Sequence, residues 1–173
     1  MTHSFLFRPA FAVILASLTL GSAQAAQSPM NNERLGALIL RLDENAEGGP
    51  GFWRATVGGR AVTVITDENA DRMRIISPVA RTDDLDPGLM FRMLQANFDT
   101  ALDARYSVAR GILWSLYLHP LGSLSDEQFL ASLGQVVNLA ASFGTAYSSG
   151  GLSFGGGDSS ELIQELLEKG LSI

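Results

Sequence analysis

The chain has 173 residues, 46% of them apolar and 17% charged, with 12 basic groups against 18 acidic ones and no cysteine. That length and composition fit one soluble globular domain. The acidic balance repels nucleic acid and anionic lipid headgroups, and without cysteine neither a disulfide framework nor a lipid anchor on a thiol is open to it.

Arg8 and the amino terminus precede an apolar run from Phe11 to Leu20, and Ala23-Gln24-Ala25 presents small residues at the two positions a signal peptidase reads. Residues 1–25 are therefore expected to be a signal peptide cleaved before Ala26, and the mature chain to be exported to the periplasm of a Gram-negative bacterium. The apolar run is about 10 residues long where a membrane-spanning helix needs roughly 20, and no later segment is a spanning candidate. Loss of Arg8 leaves 11 basic groups against 18 acidic ones, a net charge of −7, and every remaining basic group except Lys169 is arginine. A domain of this mature size buries roughly 70% of the unfolded chain's surface, enough to rest on its core alone.

Gln27 to Asn32 is polar and expected to fray. Leu35, Leu38, Ile39 and Leu42 then repeat at the spacing of a short amphipathic helix, which the glycine-rich loop Asn45 to Gly51 ends. Three strands follow: Phe52 to Val57, a Gly58-Gly59 turn, Arg60 to Thr66, the loop Asp67 to Ala70, and Asp71 to Ser77, stopping at Pro78. Loops this short make an antiparallel meander. Val62 and Val64 alternate with Ala61, Thr63 and Ile65, and Met73 and Ile75 with Arg72, Arg74 and Ile76, so burial is expected mostly on one face. Asp86 reads as the cap of a second helix with Pro87 in its first turn. Its apolar stripe, Leu89, Met90, Met93, Leu94, Phe98 and Leu102, is widened by Phe91 and is broad for a helix covered on one side.

A hairpin comes next, Arg105 to Ala109 and Ile112 to His119 about an Arg110-Gly111 turn. Tyr106, Val108, Ile112, Trp114, Leu116 and Leu118 are expected to share one sheet face. Leu113 and Tyr117, beside Ser115 and His119, make the other face apolar as well, which suggests cover on both sides. After Pro120, Ser125 can cap a long helix with Gln128 reaching back to it, Leu124 and Phe129 occupying the staple positions. Phe129, Leu133, Val136, Val137, Ala140, Phe143 and Tyr147 continue its stripe for about six turns. Residues 26–149 are thus one domain, 150–157 a glycine-rich linker, and 158–173 an amphipathic helix opened by Asp158 and Glu161. That last helix carries Leu162, Ile163, Leu166, Leu167 and Leu171 on one stripe, and a helix so short must dock somewhere.

The strand closing on Ser77-Pro78, the helix around FRMLQANFD, the hairpin ARYSVARGILWSLYLHPL and LSDEQFLASLGQVVNLA after it resemble the YbjN-like proteins and the class I type III secretion chaperones. The resemblance spans roughly Leu35 to Tyr147 and lies in element order and apolar pattern. It implies an α+β fold, a five-stranded antiparallel sheet packed with helices in the order α-βββ-α-ββ-α, commonly homodimeric and usually engaged in binding protein. Two features depart from it. Secretion chaperones are cytoplasmic and carry no signal peptide, and the glycine-rich tail with its helix is additional.

Signals for chemistry are weak. Gly151-Leu-Ser153-Phe-Gly155 fits the nucleophile-elbow pattern, but no histidine follows it, and Gly156 and Gly157 stand where a phosphate-binding loop needs Lys and Ser or Thr. Asp67, Asn69 and Asp71 begin like a calcium loop, yet Arg72 replaces its glycine and Pro78 its final glutamate. Asp83, Asp84 and Asp86 suit a helix start with no metal present. Arg72 and Arg74 share a strand face that could hold an anion or be solvated. His119 alone builds neither a zinc site nor a triad, and Trp53, Trp114 and Phe143 read as core. A carboxylate mechanism through Asp99 and Asp103 is a distant alternative.

No cofactor and no metal are expected. The expected function is a non-enzymatic protein-binding module, an adaptor, regulator or chaperone-like protein. Its dimer or partner surface is expected on Met90, Met93, Leu94, Phe98, Leu113 and Tyr117, and its tail is expected to dock through Leu162, Ile163, Leu166 and Leu167. The alternative is a sensor that binds a small molecule or ion between helix and sheet.

Overall fold

Strand alternation decides which side of this protein is covered. A computed structural model describes residues 28–99, 101–143 and 160–172. The chain runs α1 (Asn32–Leu42), β1 (Glu47–Gly49), β2 (Phe52–Val57), β3 (Arg60–Asp67), β4 (Arg72–Arg81), a 3-10 turn (Thr82–Asp84), α2 (Pro87–Asp99), β5 (Arg105–Ala109), β6 (Ile112–His119), α3 (Asp126–Ala141) and α4 (Ser160–Leu171). All strand pairs are antiparallel, in one sheet of six ordered β1-β2-β3-β4-β6-β5. The class is α+β as expected, with six strands in place of five. The additional strand, β1, lies in the glycine-rich segment read as a loop. It pairs Gly48 with Trp53 and Gly49 with Phe52 through backbone groups alone, so no apolar pattern marks it.

One face of the sheet carries Trp53, Val57, Val62, Val64, Met73, Ile75, Tyr106, Leu113 and Tyr117, all buried. Helix α3 packs across β4, β6, β3 and β5 on this side, and α1 packs on β2. Phe129, Leu133 and Val136 of α3 fill the layer against Met73 and Ile75, while Leu35, Leu38, Ile39 and Leu42 give α1 its buried face. The Ser125 Oγ accepts the Gln128 N–H at 3.1 Å, and Leu124 and Phe129 are both buried, which is the expected staple. Gln128 does not reach back to the cap. Its amide nitrogen instead lies 2.9 Å from His119 Nε2, and His119 Nδ1 lies 2.7 Å from the Pro120 carbonyl oxygen.

The hairpin corrects the sequence reading. Arg110 and Gly111 both take positive φ, 54° and 72°, the primed two-residue turn. Two turn residues place Ala109 opposite Ile112 and Tyr106 opposite Ser115. Even-numbered residues of β5 therefore share a face with odd-numbered residues of β6. Tyr106 and Val108 stand with Leu113, Ser115 and Tyr117 on the helix side, and Ile112, Trp114, Leu116 and Leu118 stand on the opposite one.

Three boundaries also move. Met30 is buried and Asn31 caps α1 through its side chain, so the segment expected to fray is tied down from Met30 on. Strand β4 continues past Pro78. Pairing with β3 ends at Ile76 and the register against β6 shifts between Pro78 and Ala80, so a residue without an N–H is tolerated there. Helix α3 stops at Ala141, short of the expected six turns, and Phe143 beyond it sets its ring edge-on to Tyr106 with centroids 6.2 Å apart.

Candidate functional site

Carboxylates that suggested ion binding are engaged in local structure. Asp67 Oδ1 accepts the N–H groups of Asn69 and Ala70 at 2.9 and 3.0 Å, closing the β3–β4 turn. Glu68 Oε1 accepts the Asn32 N–H at 2.8 Å, adding a cap to α1, and Asp71 Oδ1 accepts the Gly122 N–H at 2.6 Å. Asp86 caps α2 by accepting the Leu89 N–H at 2.8 Å. Asp103 takes the amide of Gln135 at 3.5 Å. Among the described residues no three histidines or carboxylates come together as metal ligands. The pattern at Ser153 lies outside the described residues. Burial pushes the Tyr117 phenol above its ordinary pKa, a hydrogen bond with Gln128 opposing and the Asp103 carboxylate adding to the shift.

Helix α2 presents the most exposed apolar surface. Only Met93 and Ala96 turn fully inward. Asn97 then clasps the free edge of β5: its Nδ2 donates to the Tyr106 carbonyl at 3.1 Å and its Oδ1 accepts the Tyr106 N–H at 2.7 Å. The side-chain amide stands in for a seventh strand and blunts the edge. On the opposite side of the helix Phe98 is 88% exposed, Leu94 66%, Phe91 62% and Met90 37%. Of the six residues expected to form one surface, Met90, Leu94 and Phe98 are on it. Met93 faces the core, and Leu113 and Tyr117, at 1% and 6% exposure, lie beneath α3. The expectation that hairpin and helix share a surface through those two residues is overturned, because α3 packs on the face of β6 that carries them.

Helix α4 is docked. Leu166 is buried, and Leu162 and Leu167 pack against the core. A Cβ at Gly134 would lie 2.7 Å from Ile163 Cγ1, and one at Gly170 would lie 2.6 Å from a Leu130 methyl, so α3 and α4 close on each other through two glycines. Arg41 donates to the Gly170 carbonyl at 3.0 Å and Lys169 to the Leu42 carbonyl at 2.7 Å, each cation meeting the other helix's C-terminal end. All four residues expected to dock the tail are in α4, a helix that packs on the chain's own α3 and α1, with Leu162 reaching the β2–β3 turn at Gly58.

No protein-family model and no curated protein matches the chain. Several solved structures are similar to it, two of which follow. One is a chain of the HopA1–SchA chaperone–effector complex, at 14% identity and a TM-score of 0.49, covering 66% of this chain and 96% of that one. The other is a chain of the ExsC–ExsE complex, at 17% identity and a TM-score of 0.48, covering 64% of this chain and 92% of that one.

The side of the sheet away from the helices is a surface the sequence reading did not isolate. Phe52, Ile65, Ile76, Trp114, Leu116 and Leu118 occupy it, with Phe52 39% and Leu118 56% exposed. The signal was in the strands, which carry apolar residues at both parities. No described helix is long and apolar enough to cross a membrane.

Proposed function

We propose that this chain is an exported, non-enzymatic protein-binding module of the chaperone or adaptor kind, and that it acts as a homodimer joined through α2. The observation that carries the reading is the exposed row Met90, Phe91, Leu94 and Phe98 on a helix whose other side is already anchored to β5. A contiguous apolar patch of this kind marks an interaction surface. A two-fold axis would bring the same row from a second copy onto it, and each large side chain so buried contributes about 2 kcal/mol.

Sedimentation of residues 26–173 at micromolar concentration is the test. The wild type is expected to run as a dimer, and Leu94→Asp with Phe98→Asp as a folded monomer whose melting temperature matches that of the wild type diluted below its dissociation constant. A wild-type chain that stays monomeric at about 100 μM, weaker than a Kd worth some 5 kcal/mol, overturns the dimer. Intact mass of the protein from the native cell checks export, with Ala26 expected as the first residue.

A further inference from the structure

The open face of the sheet joins two properties that are separate elsewhere on the molecule. Across β2, β3, β4 and β6 one row reads Phe52, Ile65, Arg74, Leu118, and the next, extended to β5, reads Arg54, Thr63, Ile76, Leu116, Arg105. Pro78 and Trp114 face each other in the row beyond. Arg54 carries its guanidinium carbon over the Phe52 ring, 5.0 Å from the centroid, and Arg72 and Arg74 are exposed on β4. Arg105 spends its guanidinium on the carbonyls of Ala101 and Ala104.

Arg54, Arg72 and Arg74 form no ion pair among the described residues. Glu47 is the register partner of Arg54 and Asp67 that of Arg72, and neither carboxylate closes to salt-bridge distance. In a chain of net charge −6, one sheet face thus pairs an uncovered apolar band with surplus positive charge. A second copy of the same face would lay its own surplus positive charge on that of the first, which disfavours it as the cover.

We propose that this face binds an acidic amphipathic segment of another polypeptide, laid across the strands as a helix with its apolar side on Ile65, Ile76, Trp114 and Leu116 and its carboxylates on Arg54, Arg72 and Arg74. The inference rests on the protein-binding reading and names its partner's chemistry. Among the described residues helices cover one face of the sheet, and the added helix covers the other. Arginine is the cation suited to this role, because its planar fork engages a carboxylate with two donors and stacks on aromatic faces.

The probe is a synthetic amphipathic peptide of about 18 residues, about five helical turns, with Leu and Phe on one side and Glu on the other, compared with its Lys counterpart. Trp53 is buried in the core and Trp114 is on the open face, so a binding-induced change in tryptophan emission should be absent in Trp114→Phe. The acidic peptide is expected to bind the mature chain at least about tenfold tighter than the basic one, with affinity falling as salt rises. Arg72→Glu with Arg74→Glu, and separately Leu118→Asp, should each weaken it about tenfold without changing sedimentation. Equal binding of the two peptides, no response from Trp114, or binding indifferent to the arginine pair overturns the proposal. Monomerisation by the arginine pair overturns it as well, by assigning the face to a second copy. A wild-type monomer that still binds the acidic peptide removes the α2 dimer and leaves this inference standing. An intact dimer that binds neither peptide does the reverse.

Discussion

Helices α2 and α4 are amphipathic and nearly equal in length, 13 and 12 residues, yet they end in opposite situations. Helix α4 lays Leu162, Ile163, Leu166 and Leu167 along α3 and α1, where Gly134 lets the backbones close and two cations seal the helix ends. Helix α2 packs chiefly on the edge strand β5, where Met93 and Ala96 are buried and the Asn97 amide is tied down. Phe91, Leu94 and Phe98 are left in solvent. An apolar stripe therefore reports a need for burial, and the geometry of what it reaches decides whether the chain itself can meet that need.

The comparison breaks most visibly under matched substitutions. Leu166→Asp puts a charge into a buried seam and is expected to cost about 3 kcal/mol or more in urea unfolding, with loss of helical signal from α4. Leu94→Asp on α2 is expected to stay within about 0.5 kcal/mol in the isolated protomer, measured below the dimer dissociation constant. Equal losses from the two would mean that α2 is as well covered as α4. A smaller effect sharpens the α2 side. Asn97→Ala removes the two hydrogen bonds that the Asn97 amide makes to the Tyr106 N–H and carbonyl, costing about 1 kcal/mol and speeding hydrogen exchange of the Tyr106 amide, while α4 amides keep their protection.

The smallest effect reads the covered face beneath α3, far from either stripe. Because burial raises the Tyr117 pKa above 10.0 in the folded chain, the unfolded chain loses that proton first as pH rises. The contribution is fully present below about pH 10 and is lost as pH climbs through the folded value. Urea midpoints between about pH 9 and about pH 11 should fall less steeply for Tyr117→Phe than for the wild type. Identical slopes would mean that the phenol is not held in the protected state that α3 imposes.

Local physics made much of the fold legible. The Gly58-Gly59 and Arg110-Gly111 turns, the Ser125 cap with its Leu124–Phe129 staple, the Asp86-Pro87 helix start and the alternation of Val62, Val64, Met73 and Ile75 all depend on residues within a few positions of one another. Periodicity and capping act over that range, so the sequence placed α1 to α4 and the five longer strands within a few residues. The candidate surface was only half legible. Met90, Leu94 and Phe98 were read as surface and are exposed on α2, whereas Leu113 and Tyr117 lie beneath α3, because both parities of β6 are apolar and the pattern alone does not say which one a helix covers.

By itself, then, the amino-acid sequence determined the elements, their caps and the need of each stripe for burial, since these are set by neighbours along the chain. Only the tertiary structure decided the faces. A two-residue turn with both φ values positive fixed the parity of the hairpin, backbone pairing at Gly48 and Gly49 added a sixth strand, and the packing of α3 and α1 on one side left Ile65, Ile76, Trp114 and Leu116 on the other with three arginines that form no ion pair among the described residues. Alternation yields two faces; which of them is buried depends on helices from distant parts of the chain.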